Sequence, residues 1–316
     1  MRVNAVFEGG GVKAIGLVGG IRAAEQFGFT FHHVAGTSSG AIVAALLSAG
    51  YRSEEMRHML AANPFPQFVQ KSMWDRIYGI GPTLRLFIKK GLHSQLPLKR
   101  WITEKLHAKG IERFADVPSG SLRIIASDIT RGKMLVLPDD LQHYGINPDA
   151  FHIADAVVMS AALPYFFDPA MIRLADKQIC YIVDGAILSN FPLWLFDRST
   201  YNGTAKIVPT IGYHLVGKQD HVPNKIKGPI SMFRALFSTM MNAHDEKYID
   251  KFDRFRTIKI PTLGIKTTDF DLSAERIEQL YESGLQAGRD FFMKWSVSDY
   301  FSNYEEIIVN KYKGNE

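Results

Sequence analysis

Along the chain the apolar positions fall into short blocks set between glycine turns. Val3 to Phe7 reads as a strand, and three glycines follow it. From about Lys13 to Phe27 the pattern is helical, and Phe31 to Ala35 is again an apolar strand. Ser39 to Ala49, a run of small and aliphatic residues, predicts a second helix. Strand, helix, strand, helix in this order predicts an α/β fold with a parallel sheet and crossover helices. Residues 53 to 110 break the alternation: aromatics, Met, Lys and Arg are scattered among Pro and Gly, which reads as an insertion of short helices and loops.

Strand character returns at Leu122 to Ile129 and Lys133 to Leu137, joined by the hairpin signal Thr130-Arg131-Gly132. Ile153 to Ala162 predicts a helix ending before Pro164. Ile179 to Val183 predicts a strand leading into Asp184-Gly185, and Lys206 to Val216 another strand. Lys225 to Phe252 is helical in part and rich in Met and Phe, and Arg256 to Pro261 is a strand. Leu272 to Trp295 is a long helix with Ser273 as its N-cap. With no linker and no internal repeat, the expectation is one domain over residues 1–316. Its core spans about 3–190, the helical insertion about 53–110, and C-terminal strands and a helix about 205–296.

Composition adds limits. The 316 residues are 46% hydrophobic and 22% charged, a globular balance with enough apolar material for a sizeable core. A net charge of +5 and a pI of about 9.1 favour anionic surfaces. There is no block of five like charges and no nucleic-acid module, so no nucleic-acid partner is expected. The single cysteine, Cys180, can form no internal disulfide and reads as a buried strand residue between Ile179 and Tyr181. The opening Met1 to Phe7 reads as a core strand and not a signal peptide. No apolar run reaches the roughly 18 residues of a membrane span. The expected location is cytoplasmic, with any membrane attachment peripheral. Asn202-Gly203-Thr204 reads as a turn.

Three segments carry chemistry. Gly36-Thr37-Ser38-Ser39-Gly40, set between strand and helix, has the form of a nucleophile elbow. Its flanking glycines let two backbones pass close, and the turn lifts the Ser38 hydroxyl out at a helix N-terminus. There, N–H groups and positive potential meet a developing oxyanion. Glu8-Gly9-Gly10-Gly11-Val12-Lys13-Ala14-Ile15-Gly16 follows the first strand, and its consecutive glycines expose backbone N–H groups that cradle an anion. Asp184-Gly185-Ala186 places a carboxylate at the C-terminal edge of the sheet, where α/β folds hold ligands. A serine hydrolase follows if the elbow is genuine.

The same residues admit other readings. Gly9-x-Gly11-x-x-Ala14 has the spacing of a dinucleotide fingerprint, which would make the protein an oxidoreductase. That fingerprint wants an acid at the end of the second strand, which here ends Ala35-Gly36-Thr37, while Glu25 lies inside the helix. A nucleoside-triphosphate loop fails because Gly16 is followed by Leu17. A non-catalytic lipid-binding protein is a third reading, against which the intact motifs speak. A Ser-Asp-His triad would draw on His214, His221 or His244, none of which sits in a catalytic context. His32 and His33 read as structural.

Glycine loop, elbow and Asp-Gly occur in this order, each at a strand end, and Ser160-Ala161-Ala162-Leu163-Pro164-Tyr165-Phe166-Phe167 links them. On these residues the chain resembles the patatin-like phospholipases, in particular bacterial members of that acyl-hydrolase family. The likeness is good over about residues 3–190 and weaker over 53–110 and the C-terminal third. Glu8 departs from it, standing where the family often has Asp. The resemblance implies a three-layer α/β/α fold with a central, mostly parallel sheet. It implies a lipid acyl hydrolase of phospholipase A or lysophospholipase type, cleaving carboxylic esters through a dyad, with Ser38 as nucleophile and Asp184 as base. Backbone N–H groups of Gly9, Gly10, Gly11 and Val12 would form the oxyanion hole, and Lys13, Gly36, Gly40 and Gly185 would support it. Ser39, the decoy nucleophile, would contribute packing or a backbone N–H. Neither metal nor cofactor is expected. The expected partner is a lipid ester (phospholipid, lysophospholipid or glyceride). Two apolar segments, residues 70–90 with Lys89 and Lys90, and residues 230–241, are candidates for a lid or a contact with anionic membrane.

Overall fold

The computed structural model describes residues 1–62, 65–68, 85, 86, 88–197, 208–217, 226, 228, 231, 232, 235, 236, 239, 253–267 and 269–309. Its strands are β1 (Arg2–Phe7), β2 (Thr30–Thr37), β3 (Gly91–His93), β4 (Leu122–Asp128), β5 (Lys133–Leu137), β6 (Tyr165–Phe167), β7 (Ala170–Arg173), β8 (Ile179–Asp184), β9 (Thr210–Val216) and β10 (Thr257–Pro261). Its helices are α1 (Ala14–Gln26), α2 (Ser39–Ser48), α3 (Ser53–Ala61), α4 (Phe65–Phe68), α5 (Leu96–His107), α6 (Ile153–Ser160), α7 (Ala274–Phe292) and α8 (Val297–Asn303).

The fold is α/β, with a central and mostly parallel sheet. β10, β9, β1, β2 and β4 lie side by side and all run parallel. β5 then pairs antiparallel with β4, as does β8, and β7 pairs antiparallel with β8. The registers fix which edge of β4 each neighbour takes. Ile124 and Ile125 face β2 and β5 at once, so β2 and β5 hold opposite edges. Ala126 to Asp128 face β5 and β8 at once, so β8 continues the edge that β2 leaves. β2 and β8 therefore meet end to end along β4. β3 and β6 make a separate two-stranded parallel sheet.

Strand β1 is buried from Val3 onward, as expected of a central parallel strand. Val3, Ala5 and Phe7 point into the main core beneath α1, α2 and α6. Val6 and Ala35 point to the other face, where Phe191, Leu193 and Phe196 cover them. Helix α7 buries the stripe Ile277, Leu280, Tyr281, Gly284, Leu285, Gly288 and Phe292, the period of an amphipathic helix. It lies against α1 at backbone contact: a Cβ on Gly284 would fall 1.9 Å from the Gly16 carbonyl oxygen. Ser273 caps α7 through its hydroxyl, which accepts from Arg276 N–H at 3.3 Å.

The longer elements agree with the sequence pattern, with ends moved by a few residues: β2 runs to Thr37, and α6 stops at Ser160. The insertion over 53–110 contains α3, α4 and α5 but also β3, which the pattern does not reveal. β6 and β7 are likewise additions. Segments of three or four residues are too short to display a period. Most of the candidate lid segments, the triad candidates His221 and His244, and Asn202-Gly203-Thr204 lie outside the described residues.

Candidate active site

The end-to-end meeting of β2 and β8 brings two distant residues together. Thr37 pairs with Ile125 and Asp184 with Ala126, so the residue after β2 and the last residue of β8 share one point on the edge of β4. Ser38 turns the chain there with φ 55° and ψ −123°, in a region that side chains rarely adopt. The turn is as tight as its glycines allow. A Cβ on Gly36 would lie 2.2 Å from the Gly40 carbonyl oxygen, and one on Gly40 would lie 2.3 Å from the Phe7 carbonyl oxygen. The Ser38 N–H donates to Ser160 Oγ at 2.8 Å, and Ser160 Oγ–H donates to the Ile125 carbonyl at 2.5 Å. A fully buried hydroxyl at the end of α6 thus ties the elbow to β4.

Ser38 Oγ–H donates to Asp184 Oδ2 at 2.7 Å. The other carboxylate oxygen accepts from Ala186 N–H at 2.9 Å. The Asp184 N–H goes to the Ala162 carbonyl at 2.9 Å, so the segment Ser160 to Ala162 holds both residues. Asp184 is 2% exposed. Burial pushes its carboxyl up to about 7, with the Ala186 and Ser38 hydrogen bonds pulling the other way.

The glycine loop lies alongside. Its N–H groups are not equivalent. Gly9 donates to the Asn190 carbonyl at 3.3 Å, Gly10 to Ser39 Oγ at 3.0 Å, and Val12 to the Thr267 carbonyl at 3.3 Å. The Gly11 N–H meets no acceptor among the described residues. Beneath the loop the buried Glu8 carboxylate accepts from Asn190 Nδ2 at 2.9 Å and from Leu215 N–H at 2.5 Å. His214 Nδ1 lies 2.7 Å from Glu8 Oε2. His214 is therefore engaged with the loop's anchor and not with Ser38 or Asp184. The Lys13 stem passes over Gly10. Burial holds its ammonium below the usual lysine range, and the Glu8 carboxylate opposes that shift. His32 and His33 stack on each other at the far end of β2, where burial lowers His33 to about 4, helped by His32 and Arg123.

Ser38, Asp184, Gly10 and Gly11 line a pocket that is continuous with solvent. The remainder of its lining is almost wholly apolar, with Ile42, Phe65, Phe68, Leu98, Phe167 and Phe270 prominent. Ser160, Asn190, Thr267 and these rings are parts of the site that motif reading does not single out. Ser160 and Phe167 lie in the segment that carries the family resemblance; the others have no local signal. No group of three or more His, Cys, Asp or Glu side chains suited to a metal ion occurs among the described residues. No helix among them is long and apolar enough to cross a membrane.

This fold and this elbow are those of a known class. A model of the patatin-like phospholipase family matches residues 5–197, and the chain belongs to that family of lipid hydrolases. Uncharacterized protein YqhO of Bacillus subtilis (strain 168) is 38% identical over 302 residues, covering 94% of this chain and all of that protein. Uncharacterized protein R571 of Acanthamoeba polyphaga mimivirus is 22% identical over 304 residues, covering 92% of this chain and 94% of that one. Among solved structures, the type III effector ExoU of Pseudomonas aeruginosa matches with a TM-score of 0.51 at 14% identity, over 93% of this chain. VipD from Legionella pneumophila matches with a TM-score of 0.49 at 17% identity, over 92% of this chain. The match spans 53% of ExoU and 66% of VipD, so the likeness to ExoU is one of fold over about half of a larger protein.

Proposed function

We propose that the protein is a serine-dependent lipid acyl hydrolase in which Ser38 is the nucleophile and Asp184 the base. The observation that carries this is the 2.7 Å hydrogen bond from Ser38 Oγ to Asp184 Oδ2 in the lining of a mostly apolar cavity. Ser38 Oγ attacks the ester carbonyl while its proton passes to Asp184 Oδ2. The tetrahedral oxyanion rests on the Gly11 N–H, while Gly9, Gly10 and Val12 hold the loop in shape through their own hydrogen bonds. On collapse the carbonyl re-forms, the alcohol leaves, and Asp184 returns the proton to it. Water then attacks the acyl-enzyme, giving its proton to Asp184. The fatty acid departs, and Ser38 recovers its hydrogen.

A carboxylate with an ordinary pKa near 3.9 is a poor base at neutral pH. Asp184, raised to about 7 by burial, is matched to the task. The apolar lining suits an acyl chain, which makes phospholipid, lysophospholipid and glyceride esters the substrate class. Leu96 and Tyr165 are exposed on elements whose neighbours Leu98 and Phe167 line the cavity. Ile88, Lys89 and Lys90 are exposed in the insertion. That combination supports peripheral contact with anionic lipid. One domain over the whole chain and a cytoplasmic setting belong to the same reading.

Hydrolysis of p-nitrophenyl butyrate and of lysophospholipid micelles tests it. Wild type is expected to turn over, and Ser38→Ala and Asp184→Asn to lose at least about 10³-fold in kcat. Undiminished turnover by Ser38→Ala would overturn the reading.

A further inference from the structure

Ser39 sits between the nucleophile and the glycine loop. It is the first residue of α2, is 3% exposed, and lines the cavity beside Ser38 and Gly11. Its oxygen accepts the Gly10 N–H at 3.0 Å, in a buried contact. A hydroxyl both accepts and donates. The Gly10 bond uses one lone pair, and the hydroxyl proton meets no acceptor among the described residues. An idle buried donor is disfavoured in a folded protein. One that borders a reaction site is a hydrogen bond held ready for charge that forms there.

We propose that the Ser39 hydroxyl is itself an oxyanion donor. It receives the Gly10 N–H on its oxygen and gives its proton to the oxygen of the tetrahedral intermediate, beside the Gly11 N–H. The glycine loop then stabilises the oxyanion by two routes: directly from Gly11, and from Gly10 through Ser39. Each hydrogen bond in such a chain polarises the next, so the serine proton is more acidic than that of an isolated hydroxyl. The arrangement also explains why Gly10 can spend its N–H within the protein without the hole losing a donor. Ser39 forms no bond to the acyl group and leaves the nucleophile unchanged. The proposal rests on Ser38 being that nucleophile.

The test compares wild type, Ser38→Ala, Ser39→Ala and Ser39→Cys, each checked for a cooperative thermal transition. Ser39→Ala removes acceptor and donor together. Ser39→Cys keeps a sulfur able to accept weakly from Gly10 but is a poor donor. Both Ser39 variants are expected to lose about 100-fold in kcat, with KM held within about threefold. Their affinity for an alkyl trifluoromethyl ketone, which forms a tetrahedral adduct with an oxyanion, should fall by a similar factor. Unchanged or raised kcat in Ser39→Ala would overturn the proposal, as would recovery of near wild-type kcat in Ser39→Cys, which would reduce Ser39 to holding the loop. A structure of the wild-type ketone adduct decides the matter without any variant. Ser39 Oγ is expected about 3 Å from the adduct oxygen, and a separation beyond hydrogen-bonding distance would sink the idea. The Ser38→Ala arm separates the two failures. If that variant keeps full activity, the nucleophile assignment has failed; if it is inactive while Ser39→Ala is not, only the Ser39 proposal has.

Discussion

Ser38 holds a backbone conformation that costs on the order of 1–3 kcal/mol, and its surroundings supply what keeps it there. Its N–H is fixed by Ser160, and its hydroxyl is drawn to a carboxylate kept short of solvation. The burial of Asp184 has two consequences with definite signs. Its folded pKa, about 7, lies above the value near 3.9 of an unfolded chain. The basic form is depleted below pH 7, so kcat/KM is expected to fall tenfold per pH unit below about 7 and to level off above it, in a pH–rate profile on a soluble ester. A plateau extending down to pH 5 would contradict this. Between pH 4 and 7 the folded state also binds a proton that the unfolded state has released, so this group's contribution to stability declines as pH rises through that window. Asp184→Asn removes the ionisation. Its melting temperature is expected to exceed that of wild type at pH 8, and the gap to close towards pH 4. An equal gap at both pH values would show that ionisation of Asp184 is not the cause. At this scale the sequence displays Ser38, Asp184 and the glycines, because each sits where a strand ends. Ser160 stays hidden: its partners Ser38 and Ile125 lie 122 and 35 residues away, and a serine at a helix end is commonplace.

Among the elements, β2 and β8 place the two site residues by meeting end to end on β4, and α1 carries the glycine loop at its N-terminus. α1 is fixed in turn by α7. With Gly284 and Gly16 at backbone contact, a methyl group has nowhere to go without moving one helix. Gly284→Ala is expected to cost about 2–3 kcal/mol by overpacking and to lower kcat, because α1 moves with its loop. Denaturant unfolding alongside ester kinetics checks both, and a stability change within about 0.5 kcal/mol would mean the crossing is looser than described. Short, mostly apolar runs set near glycine turns make β1, β2, β4 and β8 legible in the sequence, and Ser273 marks the start of α7. The antiparallel swing at β8 and the close crossing of α1 on α7 have no such mark. The first depends on which edge of β4 is left open. The second depends on glycines that, read alone in a helix, signal only weak propensity.

For the whole molecule, the mildly basic charge bears on the proposed contact with anionic lipid. Exposed Ile88 and Leu96 sit near Lys89 and Lys90 in sequence, in the insertion that also supplies Phe65, Phe68 and Leu98 to the cavity wall. Lys89→Glu with Lys90→Glu is expected to abolish co-sedimentation with anionic vesicles at low salt, while hydrolysis of a soluble ester continues. Unchanged vesicle binding would place the membrane contact elsewhere. Patatin-family membership, the sheet and the cavity converge on the Ser38–Asp184 pair, and the proposed hydrolysis stands on Ser38 as nucleophile. The most direct measurement is peptide mapping by mass spectrometry after treatment with an alkyl fluorophosphonate. One stoichiometric adduct on Ser38 is expected, absent from Ser38→Ala and retained in Ser39→Ala. An adduct on Ser39, or a folded and fully active enzyme that takes no label at Ser38, would contradict it.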